Sequence, residues 1–163
     1  MQKMKFLLIL LFSMNYSQNL EFTIDSKIYF EKELIENILY NSKTGVYQEA
    51  NFDRYTFIDT LNLKKEVFTA NIYLNPKQRK KIDSLFYKSS LCKNRAILNS
   101  MGQTSYSDTN INFYYKNKRI NNNAEKMNAF ELEKFRIILN EILNCVRNSD
   151  EYKKVFFWKY EKK

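Results

Sequence analysis

The stretch Val67-Phe-Thr-Ala-Asn-Ile-Tyr-Leu74, followed by Asn75-Pro-Lys-Gln78, decides how this chain is read. Phe68, Ala70, Ile72 and Leu74 alternate with Thr69, Asn71 and Tyr73, the period-two pattern of a strand with one buried face. The next four residues change the period. Asn75 is a natural N-cap, Pro76 suits the first helical position, and Gln78 completes a capping box. A helix therefore begins there, burying Ile82, Leu85 and Phe86 and ending near Ser89 or Ser90.

Working back from Val67, the aromatic alternation of Tyr55 and Phe57 predicts a strand over 52–58, with Leu61-Asn62 as the turn of a hairpin. Leu34, Ile35, Ile38 and Leu39 form the stripe of an amphipathic helix over 31–41, ended by Thr44-Gly45. A short strand over 20–24 precedes it. Working forward, 95–98 reads as a weak strand and 99–108 as a polar loop. The segment 110–116 alternates through Ile111, Phe113 and Tyr115, and Asn117-Lys118 then turns the chain into Arg119-Ile120. The last helix, about 129–147, is strongly amphipathic through Phe135, Ile138, Leu139, Ile142, Leu143 and Val146. Val155 to Tyr160 reads as a closing strand. Hairpins separated by helices predict an α+β fold: an antiparallel sheet of about five to seven strands packed against two or three helices in a single domain.

The first seventeen residues carry a different signal. Lys3 and Lys5 precede the apolar run Phe6 to Phe12, and Ser13, Asn15 and Ser17 follow it. This is the layout of a secretory signal peptide, too short for the roughly 20 residues of a membrane-spanning helix. Residues 1–17 are accordingly expected to be removed and 18–163 to form the globular domain, exported to the periplasm or beyond the cell. No cysteine lies near the cleavage region, so a lipid-bearing cysteine at the new N-terminus is excluded.

Composition narrows the function classes. The chain has two glycines and one proline, so glycine-rich phosphate loops and flexible linkers are absent. It has no histidine, which removes Ser-His-Asp and Cys-His triads and nearly every catalytic zinc site. Cys92 and Cys145 are the two cysteines, and an oxidising compartment favours one disulfide between them over two buried thiols. Closing a loop of about 50 residues would stabilise the fold by roughly 4 kcal/mol in the chain-entropy model.

Several motifs fail on inspection. Ser90-Leu-Cys-Lys93 and Lys43-Thr44-Gly45 match elements of penicillin-recognising enzymes, but in the wrong order and without the Ser-Asp-Asn element. Asp108-Thr-Asn110-Ile-Asn112 looks like half a calcium loop, but Phe113 replaces the turn glycine and Arg119 the bidentate glutamate. Carboxylates remain as the route to catalysis: Asp53 and Asp59 around a strand, Glu131, Glu133 and Glu141 on the last helix. Hydrolysis would need two of them converging on a cleft.

The net charge is +9, and losing Lys3 and Lys5 with the leader lowers it to +7. Lys77, Lys80, Lys81 and Lys88 lie on the outward side of the Pro76 helix, while Lys116, Lys118 and Arg119 sit at a hairpin tip. These seven form a candidate surface for an anionic partner, with Lys153, Lys154, Lys159 and Trp158 a further basic and aromatic group. No nucleic-acid motif accompanies them, and export makes nucleic acid a disfavoured partner. No cofactor or metal is expected. The expected function is a non-catalytic binding domain for an anionic or protein partner at the cell envelope or outside the cell. The alternatives are a carboxylate-dependent glycan hydrolase and an inhibitor or immunity-type partner of a secreted enzyme.

Overall fold

In the computed structural model, residues 20–52, 65–90, 93–99, 104–122 and 127–157 are described. The strands are β1 (Glu21–Phe30), β2 (Glu33–Asn41), β3 (Val46–Phe52), β4 (Lys65–Asn71), β5 (Arg95–Asn99), β6 (Ser105–Tyr115) and β7 (Lys118–Arg119). Three helices accompany them: α1 (Pro76–Ser89), between β4 and β5, and α2 (Ala129–Arg147) and α3 (Asp150–Val155), after β7. The sheet has seven strands in the order β4-β3-β2-β1-β6-β5, with β7 paired to β6, and every pairing is antiparallel. The α+β architecture expected from the sequence is the one found.

The alternation read at Val67 holds. Ala70, Ile72 and Leu74 are buried, Phe68 packs against the core, and Thr69, Asn71 and Tyr73 are exposed. Helix α1 starts as its sequence dictates: Asn75 Oδ1 accepts from the Gln78 N–H at 2.9 Å, and Gln78 Oε1 from the Asn75 N–H at 2.8 Å. Asn128 and Glu131 build the same reciprocal cap on α2.

The expected helix over 31–41 is instead strand β2. Glu31 and Lys32 have φ of 48° and 73°, so Phe30 and Glu33 close a two-residue hairpin with both central residues left-handed. Ile38 and Tyr40 then point into the core while Leu39 points away from it. The adjacent Leu34-Ile35 that looked helical lies beside a β-bulge at Ile28/Tyr29.

Other boundaries move too. The partner of β4 is β3, lying earlier than the expected strand, most of which falls outside the described residues. Ser105 to Asp108, read as loop, extends β6, and the turn after it is Lys116-Asn117, one residue early. The expected closing strand over 155–160 is not seen where it is described: Val155 ends α3, whose first turn is capped by the Ser149 side chain accepting from the Tyr152 N–H, Phe156 is its C-cap, and Trp158 to Tyr160 lie outside the described residues.

All three helices sit on one face of the sheet. Phe86 of α1 packs on Phe113 at 4.1 Å between ring centroids, and Tyr152 and Phe156 from the α3 region meet Tyr47 at 5.4 and 5.9 Å. Phe22, Ile24, Ile38, Ile111, Phe135, Ile138, Ile142 and Val146 complete this core. Burial of that apolar area is the main force holding the layers together. Among the described residues, no helix or strand covers the opposite face.

Candidate binding face

The second face is built by the other half of the strand alternation. In β1 the side chains of Thr23, Asp25, Lys27 and Tyr29 alternate with the core residues. The registers place Asn112, Asn110, Asp108 and Tyr106 of β6 beside them. On the other flank Asn41, Leu39 and Asn37 of β2 lie opposite Thr23, Asp25 and Lys27. Gln48 and Ala50 of β3 lie beyond, and Arg95, Ile97 and Asn99 of β5 close the other side. The result is a flat lattice of amides, hydroxyls and a few charges, with most side chains half-buried by their neighbours.

The lattice is partly wired. Asn94 Nδ2 donates to Asn112 Oδ1 at 2.7 Å, and Asn112 Nδ2 to Thr23 Oγ1 at 3.5 Å. Arg95 holds Asp108 through two charge-assisted bonds of 2.8 and 2.6 Å, a bidentate geometry that fixes both side chains. That pairing raises the Arg95 pKa. Tyr29 and Tyr106 stack at 4.9 Å with their planes 12° apart. Three oxygens remain without a hydrogen bond among the described residues although fully shielded: Asp25 Oδ1, Asn37 Oδ1 and Asn94 Oδ1.

At one end the face deepens into a groove of about 260 Å³, lined by Glu21, Phe22, Thr23, Asn41, Lys43, Tyr114 and Asn117. Lys43 spans it, donating to Asn117 Oδ1 at 2.8 Å with Glu21 Oε1 at 3.3 Å. Asn41 caps the adjoining turn by accepting from the Lys43 and Thr44 N–H groups. Gly45 follows at φ 73°, where an added Cβ would meet the Tyr73 ring at 2.8 Å.

The described carboxylates among those that could have done acid–base work are tied up or exposed. Glu131 belongs to the α2 cap and pairs with Lys93 at 2.9 Å, contacts that lower its pKa, while Glu141 pairs with Lys81 at 2.6 Å. Glu133 is exposed, and Asp53 and Asp59 lie outside the described residues. Two acids not singled out from the sequence are buried instead. Glu49, fully shielded under α3, accepts from the Tyr47 hydroxyl at 2.9 Å and the Tyr152 hydroxyl at 3.5 Å. Asp83 on α1 accepts from the Leu20 N–H at 3.4 Å, and its pKa is pushed up to about 6 by burial. Among the described residues, no group of three His, Cys, Asp or Glu side chains could hold a metal ion.

The basic residues separate into two groups. Lys77, Lys80, Lys81 and Lys88 are exposed on α1, with Lys81 engaged by Glu141. Lys116, Lys118 and Arg119 are exposed on the β6–β7 hairpin, next to the groove through Asn117. Among the described residues, no ion pair or hydrogen bond joins the two groups. Cys145 is a buried free thiol, its Sγ donating to Glu141 Oε1 at 3.5 Å; burial first and Glu141 second push its pKa up to about 11. Cys92 lies outside the described residues. No described helix is long and apolar enough to cross a membrane.

Sequence reasoning found part of β1, β4, β5 and β6 but read β2 as a helix and missed most of β3, so the face itself was not found. The signal was present in the polar halves of the alternations, above all Asp108-Thr-Asn110-Ile-Asn112, where the strand reading holds and the three polar side chains share one side. Compared with family models, with curated proteins and with solved structures, the chain matches none.

Proposed function

We propose that this protein is an exported, non-catalytic binding domain whose partner belongs to the cell envelope or the space outside it. One observation carries the binding part: a seven-stranded sheet with its helices on one side and a polar face, rich in hydrogen-bonding groups, on the other. Binding rather than catalysis is supported by the chemistry of the acids. Glu131 and Glu141 are committed to ion pairs and Glu49 to two tyrosine hydroxyls. The leader-like residues 1–17 support export, and the positive charge supports attraction to anionic envelope components.

Export would also place Cys92 and Cys145 in an oxidising compartment, and a disulfide between them is part of the same proposal. The test is binding of the protein purified from its native host to separated envelope fractions over a range of protein and salt concentrations. Saturable binding to one fraction supports the reading. Adhesion that never saturates and disappears at moderate salt would overturn it, because screened surface charge alone behaves that way.

A further inference from the structure

We propose that the end of the molecule where β1 starts and β6 stops is a docking surface for a bilayer rich in anionic phospholipid, an inference that rests on the binding-domain reading and names its partner. The basic residues of α1 and of the β6–β7 hairpin make no bond to one another, yet the fold brings both to this end. Helix α1 crosses the strand ends one after another. Arg79 Nη2 donates to the Ser42 carbonyl in the β2–β3 turn at 2.6 Å, Asp83 accepts from the Leu20 N–H just before β1, and Phe86 lies on Phe113 near the end of β6. The hairpin tip projects past them, because β1 begins at Glu21 opposite Tyr114 while β6 runs on through Tyr115 into the Lys116-Asn117 turn. Lys43 of the β2–β3 turn links the two groups, donating to Asn117 Oδ1 at 2.8 Å.

Charge at this end is one-sided. Lys77, Lys80, Lys88, Lys116, Lys118 and Arg119 are exposed, and none is in an ion pair among the described residues. The other charged groups of α1, the β2–β3 turn, the start of β1 and the hairpin cancel: Lys43 pairs with Glu21, Lys81 with Glu141, and the Arg79 charge acts on the buried Asp83. Most of the chain's net charge of +9, which counts Lys3 and Lys5 of the leader, therefore lies here. Breadth and apolar content favour a bilayer over a single acidic polymer. Helix α1 has 14 residues and spans about 21 Å at about 1.5 Å per residue, so its cations and those of the hairpin cover an area that a layer of headgroups meets at once. Tyr73 and Ile120, 67% and 40% exposed, adjoin them: the Tyr73 ring lies against Gly45, and Ile120 follows Arg119. The hairpin register sets Arg119 beside Tyr114 and Lys118 beside Tyr115. Tyrosines interleaved with cations suit a membrane–water interface, where the ring sits at headgroup level and each cation near an anionic leaflet contributes about 1 kcal/mol.

The test is sedimentation of the protein with vesicles of equal parts phosphatidylglycerol and phosphatidylcholine, against vesicles of phosphatidylcholine alone, at about 0.1 M salt. Expected is saturable binding to the first and far weaker binding to the second. The Lys116→Gln/Lys118→Gln/Arg119→Gln and Lys77→Gln/Lys80→Gln/Lys88→Gln variants should each lose on the order of a hundredfold in affinity, three cations at about 1 kcal/mol each. The Lys27→Gln/Lys153→Gln/Lys154→Gln variant removes as many charges from the sheet face and α3, and should bind nearly as its parent does. An equal loss in that third variant would overturn the proposal, because net charge and not this end would then govern binding. Retention on alginate beads without binding to either vesicle would overturn the bilayer as partner while leaving the binding-domain reading intact. Saturable binding to a lipid-free envelope fraction, with none to vesicles, would do the same. Failure to bind any envelope fraction would remove both.

Discussion

Two buried carboxylates show how differently one chemical group is handled within this molecule. Asp83 is 8% exposed, and burial outweighs both the Leu20 N–H bond and the nearby Arg79 charge, raising its pKa from 3.8 to about 6. The sign of the consequence follows from linkage. Below about pH 4 both folded and unfolded chains hold the proton and nothing is lost. Between pH 4 and 6 the unfolded chain ionises first, so stability falls, and above 6 the loss is constant at about 3 kcal/mol. Asp83→Asn removes the titration and leaves an acceptor for the Leu20 N–H. Melting the two proteins from pH 4 to 7 should show the variant gaining on its parent as pH rises, and a flat difference would contradict this account. Glu49, at 0% exposed, is instead held by the Tyr47 and Tyr152 hydroxyls, with Asn51 Nδ2 at 3.5 Å from its other oxygen. Glu49→Ala strands two hydroxyls on residues 0 and 1% exposed and should cost about 3 kcal/mol in urea denaturation. Glu49→Gln keeps an acceptor and should cost less, and an alanine variant as stable as its parent would show that the tyrosines do not depend on this group.

Local chemistry decided some elements and misled at others, for identifiable reasons. Both long helices were legible because their caps are coded in four consecutive residues, Asn75 to Gln78 and Asn128 to Glu131, and the first of these was read directly. Strand β2 was not legible because its hairpin turn uses Glu31-Lys32, residues without the Asn-Gly signature that normally marks two left-handed positions. With the turn concealed, the apolar pairs Leu34-Ile35 and Ile38-Leu39 satisfied a helical period equally well. Pairing with β1 on one side and β3 on the other then settles the matter, since a central strand position outweighs weak local preference. This makes a prediction about the turn. Glu31→Asn/Lys32→Gly should stabilise the protein by about 1 kcal/mol, since a left-handed conformation costs an ordinary side chain about that much. Thermal melting measures it, and an unchanged or lower midpoint would mean that these side chains have compensating contacts of their own.

At the scale of the whole molecule, the candidate site was the least legible feature because it belongs to no segment. Thr23, Asn41 and Asn112 meet only after β6 returns across α1 and β5 to pair with β1 at the centre of the sheet. The strands that were read announced their polar sides, but order and register decide which polar sides adjoin, and nothing local encodes either. The basic residues show the converse: Lys77 and Lys116 were found at once, yet their elements occupy different places in the fold. Compartment is the remaining whole-molecule property, and it governs which ligands the face can meet. Export predicts that the protein recovered from its native host lacks residues 1–17 and begins at Gln18. It further predicts a gain of two hydrogen atoms on reduction, since oxidant would join Cys92 to Cys145. In that case the Cys145 Sγ exchanges its contact with Glu141 for a covalent bond that docks α2 against the segment after α1. Intact mass by cell fraction, with and without reductant, reads both events at once. An uncut chain in the cytoplasmic fraction, its mass unmoved by reductant, would return the lysines of α1 and the β6–β7 hairpin to intracellular anions and remove the envelope as the source of a partner.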